Sequence, residues 1–264
     1  SQKIIIAGLL FLSSAGSSAA DPAVAGEYFQ KGAEAYQKGD LHGAAVFFES
    51  AINNAPEYAP AYHALGLVLR DQGAPLEQTV WYFKKAIELG PDYLTVYEDL
   101  GRVFQMAGSH DEAVLYFEEL LKKDPNRVSV HFSLAWIYLL AKAEPHPAAE
   151  HFEAVLNQGK IPKAYYGLGL AYSMMREPER VLEIITQLKG MKENELAAKL
   201  EEAIRKPYAP QPSAAIPVLP AAKQETVLVP QTKPAPPAPP AESSFGVTRV
   251  RLRGKLYPIP PEPK

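Results

Sequence analysis

Residues 25–56 read AGEYFQKGAEAYQKGDLHGAAVFFESAINNAP, and the fold turns on how this stretch is parsed. Tyr28, Gly32 and Ala35 recur at the three-to-four residue spacing of one helix face. Gly39-Asp40 then interrupts the pattern. A second face follows with Ala44, Phe48 and Ala51, and Pro56 closes it. Small residues at Gly32 and Ala44 let two antiparallel helices cross closely, while Tyr28 and Phe48 fill the space around the crossing. Gly39 supplies a turn that most residues resist, and a proline cannot continue a helix.

The same pattern returns down the chain. Pro56, Pro91, Pro125 and Pro162 are separated by 35, 34 and 37 residues. A period near 34 marks stacked helical hairpins, each unable to bury its apolar face alone. The second copy carries Tyr62, Leu65, Gly66 and Leu69, turns at Gly73, and continues with Thr79, Phe83 and Ala86. Pro75 reads as a one-residue insertion in its turn. The third carries Tyr97, Leu100, Gly101 and Phe104, turns at Gly108, and continues with Ala113, Phe117 and Leu120. In the fourth (Leu134, Ala135, Tyr138, then Ala148, Phe152, Val155) proline enters the turn over 144–147. In the fifth (Tyr165, Leu168, Gly169, Tyr172, then Val181, Ile185, Leu188) the turn falls near Glu177-Pro178.

At these positions the chain resembles the tetratricopeptide repeat over about 165 residues. The resemblance implies an all-α fold: a right-handed helical-hairpin solenoid of about five repeats. The segment Lys192–Arg205, with Leu196, Leu200 and Ile204 four apart, reads as a capping helix over the last repeat, as the end of a solenoid requires.

The predicted organisation has four parts. Residues 1–20 place Lys3 before the apolar run Ile4 to Leu12 and end in Ser18-Ala19-Ala20, the pattern of a secretory signal. That run is too short to span a bilayer, which takes about 20 residues, so no stable membrane span is expected once the signal is removed. Residues 21–206 form the repeat domain. Residues 207–244 form an extended Pro/Ala-rich linker, interrupted by the apolar islands Ile216-Pro217-Val218-Leu219 and Val227-Leu228-Val229. Residues 245–264 end the chain with Arg249, Arg251, Arg253 and Lys255 alternating with Val250, Leu252 and Gly254. That period of two predicts a strand with one basic face, without a partner in an all-helical body. From residue 207 onward the chain carries seven basic residues against three acidic ones, while the overall charge is −3, so the repeat body is acidic.

Chemistry is sparse. With no cysteine, disulfides and thiolate metal sites are excluded. His146, Glu150 and His151 resemble a metalloprotease motif only loosely: histidines five apart lie about 140° apart round a helix. His42, His63, His110 and His131 scatter over the repeats, so no metal site is expected. Gly167-Leu168-Gly169 follows no predicted strand and does not make a dinucleotide loop. No cofactor, no nucleic-acid partner and no enzymatic activity are expected.

The tetratricopeptide resemblance places ligand-facing positions on the first helix of each repeat. They fall on Phe29, Ala33 and Tyr36; on His63, Leu67, Arg70 and Asp71; and on Glu98, Arg102, Gln105 and Met106. They continue with Phe132, Trp136, Leu139 and Leu140, and with Tyr166, Leu170, Ser173 and Met174. Aromatic and apolar side chains at both ends of such a face would anchor a protein or peptide segment, with the charged band Arg70, Asp71, Glu98 and Arg102 orienting it. The sequence therefore predicts an exported interaction scaffold of a bacterial envelope, periplasmic or extracellular. The alternative is a self-assembling fibre subunit whose tail, through Arg249, Arg251, Arg253 and Lys255, docks on the next copy.

Overall fold

The computed structural model describes residues 22–205, 216, 217 and 219, together with the backbone of 248–252 and 255–259. The predicted signal over 1–20 and most of the predicted linker lie outside the described residues. Ten helices pair into five hairpins: α1 (Pro22–Gln37) with α2 (Leu41–Asn54), α3 (Ala59–Asp71) with α4 (Leu76–Leu89), and α5 (Leu94–Met106) with α6 (His110–Lys123). The last two are α7 (Val128–Trp136) with α8 (Pro145–Leu156) and α9 (Pro162–Met175) with α10 (Pro178–Gly190). Each hairpin packs on the next, and α11 (Asn194–Arg205) lies against both α9 and α10. The all-α solenoid of five repeats and a cap is the architecture found.

Turn chemistry explains where the helices break. Gly39, Gly73 and Gly108 sit at φ of 78°, 68° and 78°, a left-handed conformation that side chains resist. Asp40 caps α2, its carboxylate accepting from the Gly43 N–H at 2.9 Å. Repeats four and five lack a turn glycine, so Ala143 (φ 55°) and Arg176 (φ 61°) take the same conformation at a cost of about 1–2 kcal/mol each. A π-helical turn, Ile137–Ala141, extends α7 and absorbs part of the longer spacing in this repeat. Pro56, Pro91 and Pro125 lie just past the ends of α2, α4 and α6, whereas Pro162 is the first residue of α9. The fourth proline of the series thus starts a helix, where its missing N–H is no loss.

One contact recurs at every early crossing. Phe48, Phe83, Phe117 and Phe152 are fully buried, one per repeat. The ring of Phe48 lies so close to Gly32 that an added Cβ would meet it at 2.6 Å; the same distance is 2.5 Å from Gly66 to Phe83 and from Gly101 to Phe117. In repeat four Ala135 occupies the crossing position, and Phe152 reaches forward to Gly167 of the next hairpin instead, at 2.2 Å. The last repeat has no such phenylalanine. Leu200 of α11 comes within 2.4 Å of a Cβ built on Gly169, which is how the cap is keyed to the stack.

The C-terminal tail departs from expectation. Instead of one unpaired basic strand, β1 (Thr248–Leu252) and β2 (Lys255–Ile259) form an antiparallel hairpin in which Leu252 pairs with Lys255, Arg251 with Leu256 and Val250 with Tyr257. The strand folds back on itself and supplies its own partner. The register pairs Lys255 with Leu252, whereas Arg249 and Arg251 pair with Pro258 and Leu256, so Lys255 is out of step with the two arginines.

Gly101→Ala should cost about 1–3 kcal/mol, because the Phe117 ring has nowhere to go. Gly26→Ala in α1 meets nothing within 4 Å and should instead stabilise by about 0.4–1 kcal/mol. Thermal melts of the two variants beside the parent check both signs.

Candidate functional site

The positions predicted to face inward lie on α1, α3, α5, α7 and α9, and the structure divides them into three groups. At the N-terminal end Phe29 is buried, its ring 5.4 Å from Phe48 and edge-on to Tyr58 at 5.3 Å. Leu67 is buried in the same core cluster. Tyr36 stays half-buried. Its hydroxyl donates to Asp71, which also accepts from Arg70 Nε at 2.8 Å. Burial and the Asp71 carboxylate push the Tyr36 phenol up to about 12, so it remains a donor.

The middle group is a closed polar network. His63 is buried with Nε2 2.8 Å from Asp99 and Nδ1 2.9 Å from the Tyr93 hydroxyl. Glu98, also buried, accepts from Arg102, from Arg127 Nε at 2.9 Å and from Ser129 Oγ at 2.7 Å. Three donors on one carboxylate compensate its desolvation. Arg70 and Asp71, and Arg102 and Glu98, therefore neutralise each other rather than presenting free charge. Arg127 escaped the sequence reading because it sits at the residue before α7, in the loop after Pro125 and outside any helical position of the repeat.

At the C-terminal end Phe132, Trp136, Leu139, Leu140 and Leu170 are buried in a second core cluster, while Tyr166 and Met174 are half-buried against it. Trp136 meets Phe152 edge-on at 5.2 Å and lies 6.5 Å from Tyr166. Met106 is the opposite case, 73% exposed on the inner helix of repeat three. Ser173 donates to the Ala203 carbonyl at 3.0 Å. Among the predicted positions two side chains break the pattern of satisfied polar groups; elsewhere the Tyr58 hydroxyl and His110 Nδ1 do so as well. Both amide atoms of Gln105 and the Trp136 indole nitrogen are buried without a hydrogen-bond partner. Of the predicted docking residues, Arg249, Arg251 and Lys255 lie in the hairpin, and Arg253 lies outside the described residues.

The histidines come together once. His131 of α7 and His151 of α8 face each other with Nδ1 atoms 2.9 Å apart, and Tyr138 stacks on His151. His131 Nε2 lies 2.8 Å from the Pro125 carbonyl and must donate to it, so in the neutral pair His151 supplies the bridging proton. Among the described residues no group of three or more potential metal ligands forms.

The family model of the tetratricopeptide repeat matches residues 97–127, which run from the first turn of α5 through α6 to the turn after it. The solved structures with this fold include MamA, 19% identical over 73% of this chain and 100% of that one, TM-score 0.57. A tetratricopeptide repeat protein from Parabacteroides merdae ATCC 43184 is 19% identical, covering 70% of this chain and 75% of that one, TM-score 0.60.

The chain has the tetratricopeptide-repeat fold.

A further likeness is to YrrB, described as a repeat protein with an unusual peptide-binding site, 20% identical over 66% of this chain and 90% of that one, TM-score 0.58. No curated protein sequence matches the chain. Among the described residues no helix is long and apolar enough to cross a membrane.

The histidine pair gives the repeat stack a defined acid response. Burial, and then the neighbouring His131, push His151 down to about 4 from an ordinary 6.5. Above pH 6.5 it is neutral folded and unfolded, and its contribution is complete. Between about 6.5 and 4 only the unfolded chain takes up the proton, so stability falls as pH falls. The melting temperature of His151→Gln should decline less than that of the parent across this window, by up to one proton's worth of slope. Parallel curves for the two proteins would show that His151 does not titrate in this way.

Proposed function

We propose that this protein is an exported interaction scaffold that receives a segment of a partner protein on the inner face of its solenoid, in the assembly of an envelope or secreted complex. Export rests on the signal-like residues 1–20, and the scaffold role on the repeat fold. The observation that carries the site is the pair of unsatisfied polar groups. Elsewhere on this face every buried polar residue among the predicted positions has a partner: His63, Glu98 and Ser173 all do. Gln105 and Trp136, on the inner helices of adjacent repeats, do not.

An unpaired buried carboxamide is costly by about 1–3 kcal/mol. A protein keeps such groups where something supplies the missing bonds. A carboxamide offers one acceptor and two donors, which match the N–H and C=O of an extended peptide, and an indole N–H matches a peptide carbonyl. Tyr166, Met174 and the exposed Met106 would flank that segment with adaptable apolar surface.

The sign of two measurements separates this role from a structural one. Gln105→Met removes polar atoms that the free protein leaves unpaired, so its melting temperature should hold or rise. Capture of the partner that the parent protein draws from a native envelope fraction should fall at least tenfold. A lower melting temperature with undiminished capture would assign Gln105 to the core alone.

A further inference from the structure

The inner helices are buried further round than hairpin packing explains. α10 shows the ordinary one-sided pattern: Val181, Ile184, Ile185 and Leu188 are buried, and the residues between them are exposed. In α3, by contrast, residues 61–69 are all buried, and in α9 residues 167–173 are all buried. At about 100° per residue, nine positions pass round a helix more than twice and seven pass round it nearly twice. No face of either helix is open, including the face turned away from α4 and α10. Around α9 the cap helix α11 closes part of that circle, through Leu200 on Gly169 and the Ser173–Ala203 bond; α3 has only its hairpin partner and the neighbouring repeats, and its inside needs another cover.

The described residues beyond α11 supply a candidate. Ile216 packs against both core clusters, the one running from the first repeat into α7 and the one formed by the last two repeats and the cap. Leu219 packs against the second, and Pro217 between them is half-buried. Ile216 is the eleventh residue after Arg205, the end of α11. Eleven residues of extended chain can reach roughly 36–40 Å at most, enough to double back along the stack to where the two clusters meet. Their sequence suits the task. With proline at 217, an extended polyproline-type backbone of three residues per turn brings Ile216 and Leu219 onto one edge. That backbone is preorganised and loses little entropy on docking.

We infer that Ile216, Pro217 and Leu219 form a resident intramolecular ligand of the inner face, which a partner must displace. The inference rests on the inner-face reading above and adds to it the class of occupant: a short, extended, proline-containing apolar segment. It also explains why the two polar groups stay unpaired with the tail in place. Pro217 has no N–H to offer, and Gln105 and Trp136 gain no bond from the segment. The tail fills apolar seats and leaves the hydrogen-bonding ones empty. A partner with free backbone donors and acceptors uses both and wins the exchange. Tethering sets the threshold: if the closed form is favoured ten to one, apparent affinity for a competitor falls about tenfold.

The absence of native cysteine makes the test direct. Pro217→Cys in the full chain, labelled with a benzophenone and illuminated, should cross-link within the same molecule to α3, α5, α7 or α9. Cross-links confined to the outer helices, formed between molecules, or absent altogether overturn the inference. In parallel, a fluorescent peptide of residues 212–222 should bind the full-chain double variant Ile216→Asp, Leu219→Asp at least tenfold more tightly than the parent. Equal binding to both proteins, or to neither, also overturns it. Cross-links on the inner helices combined with undiminished partner capture by Gln105→Met would uphold the resident tail and sink the partner reading. Cross-links on the outer helices with lost capture would do the reverse.

Discussion

A phenylalanine ring resting on the bare Cα of a glycine holds this solenoid together. Two helices joined by a short turn can approach until their side chains interfere, and a glycine at the crossing moves that limit inward by the size of a methyl group. The facing ring then fills the space. Phe48 on Gly32, Phe83 on Gly66 and Phe117 on Gly101 repeat the same solution within fractions of an ångström. Neither residue type tolerates exchange alone: a larger residue for the glycine collides, and a smaller one for the ring leaves a void. Because each hairpin has nearly the same internal geometry, successive hairpins stack with nearly the same step. The inner face is the by-product of that regularity.

That face has two characters. Around α3 and α5 its polar groups are neutralised among themselves: Glu98 by two arginines and a serine, His63 by Asp99 and Tyr93. Such a network fixes side-chain positions across three repeats and has little left over to attract a ligand. Toward α7 and α9 the lining becomes apolar and aromatic, and the unsatisfied atoms of Gln105 and Trp136 fall at the boundary. The proposed recognition site falls where the networked half gives way to the apolar half.

Much of this was legible in the residues. The glycine-to-phenylalanine spacing, the turn glycines and the apolar stripe of the cap each have a local physical cause, so reading them needed no tertiary knowledge. What escaped depends on contacts between segments distant in sequence. Arg127 is a loop residue whose partner, Glu98, lies one repeat earlier. The pairing of His131 with His151 requires knowing how α7 faces α8. Phe29, Phe132 and Trp136 were assigned to the inner face by repeat position, but how deeply each is sealed depends on neighbouring hairpins and the tail. The terminal hairpin was missed for a simpler reason. A two-residue connection between strands preserves the alternation of apolar and basic residues, so two short strands read as one long one.

The left-handed alanine and arginine that replace glycine in the later turns have a consequence for how the molecule comes apart. In a one-dimensional array each unit is held only by its neighbours, so strain is not averaged over the whole. Ala143 and Arg176 both load the distal half of the rod, and Lys192, at φ 65°, adds a third such site just before the cap. The rod thus has a soft end and a firm end. Hydrogen exchange would fray it from α11 inward, toward the same stretch on which the returning tail rests.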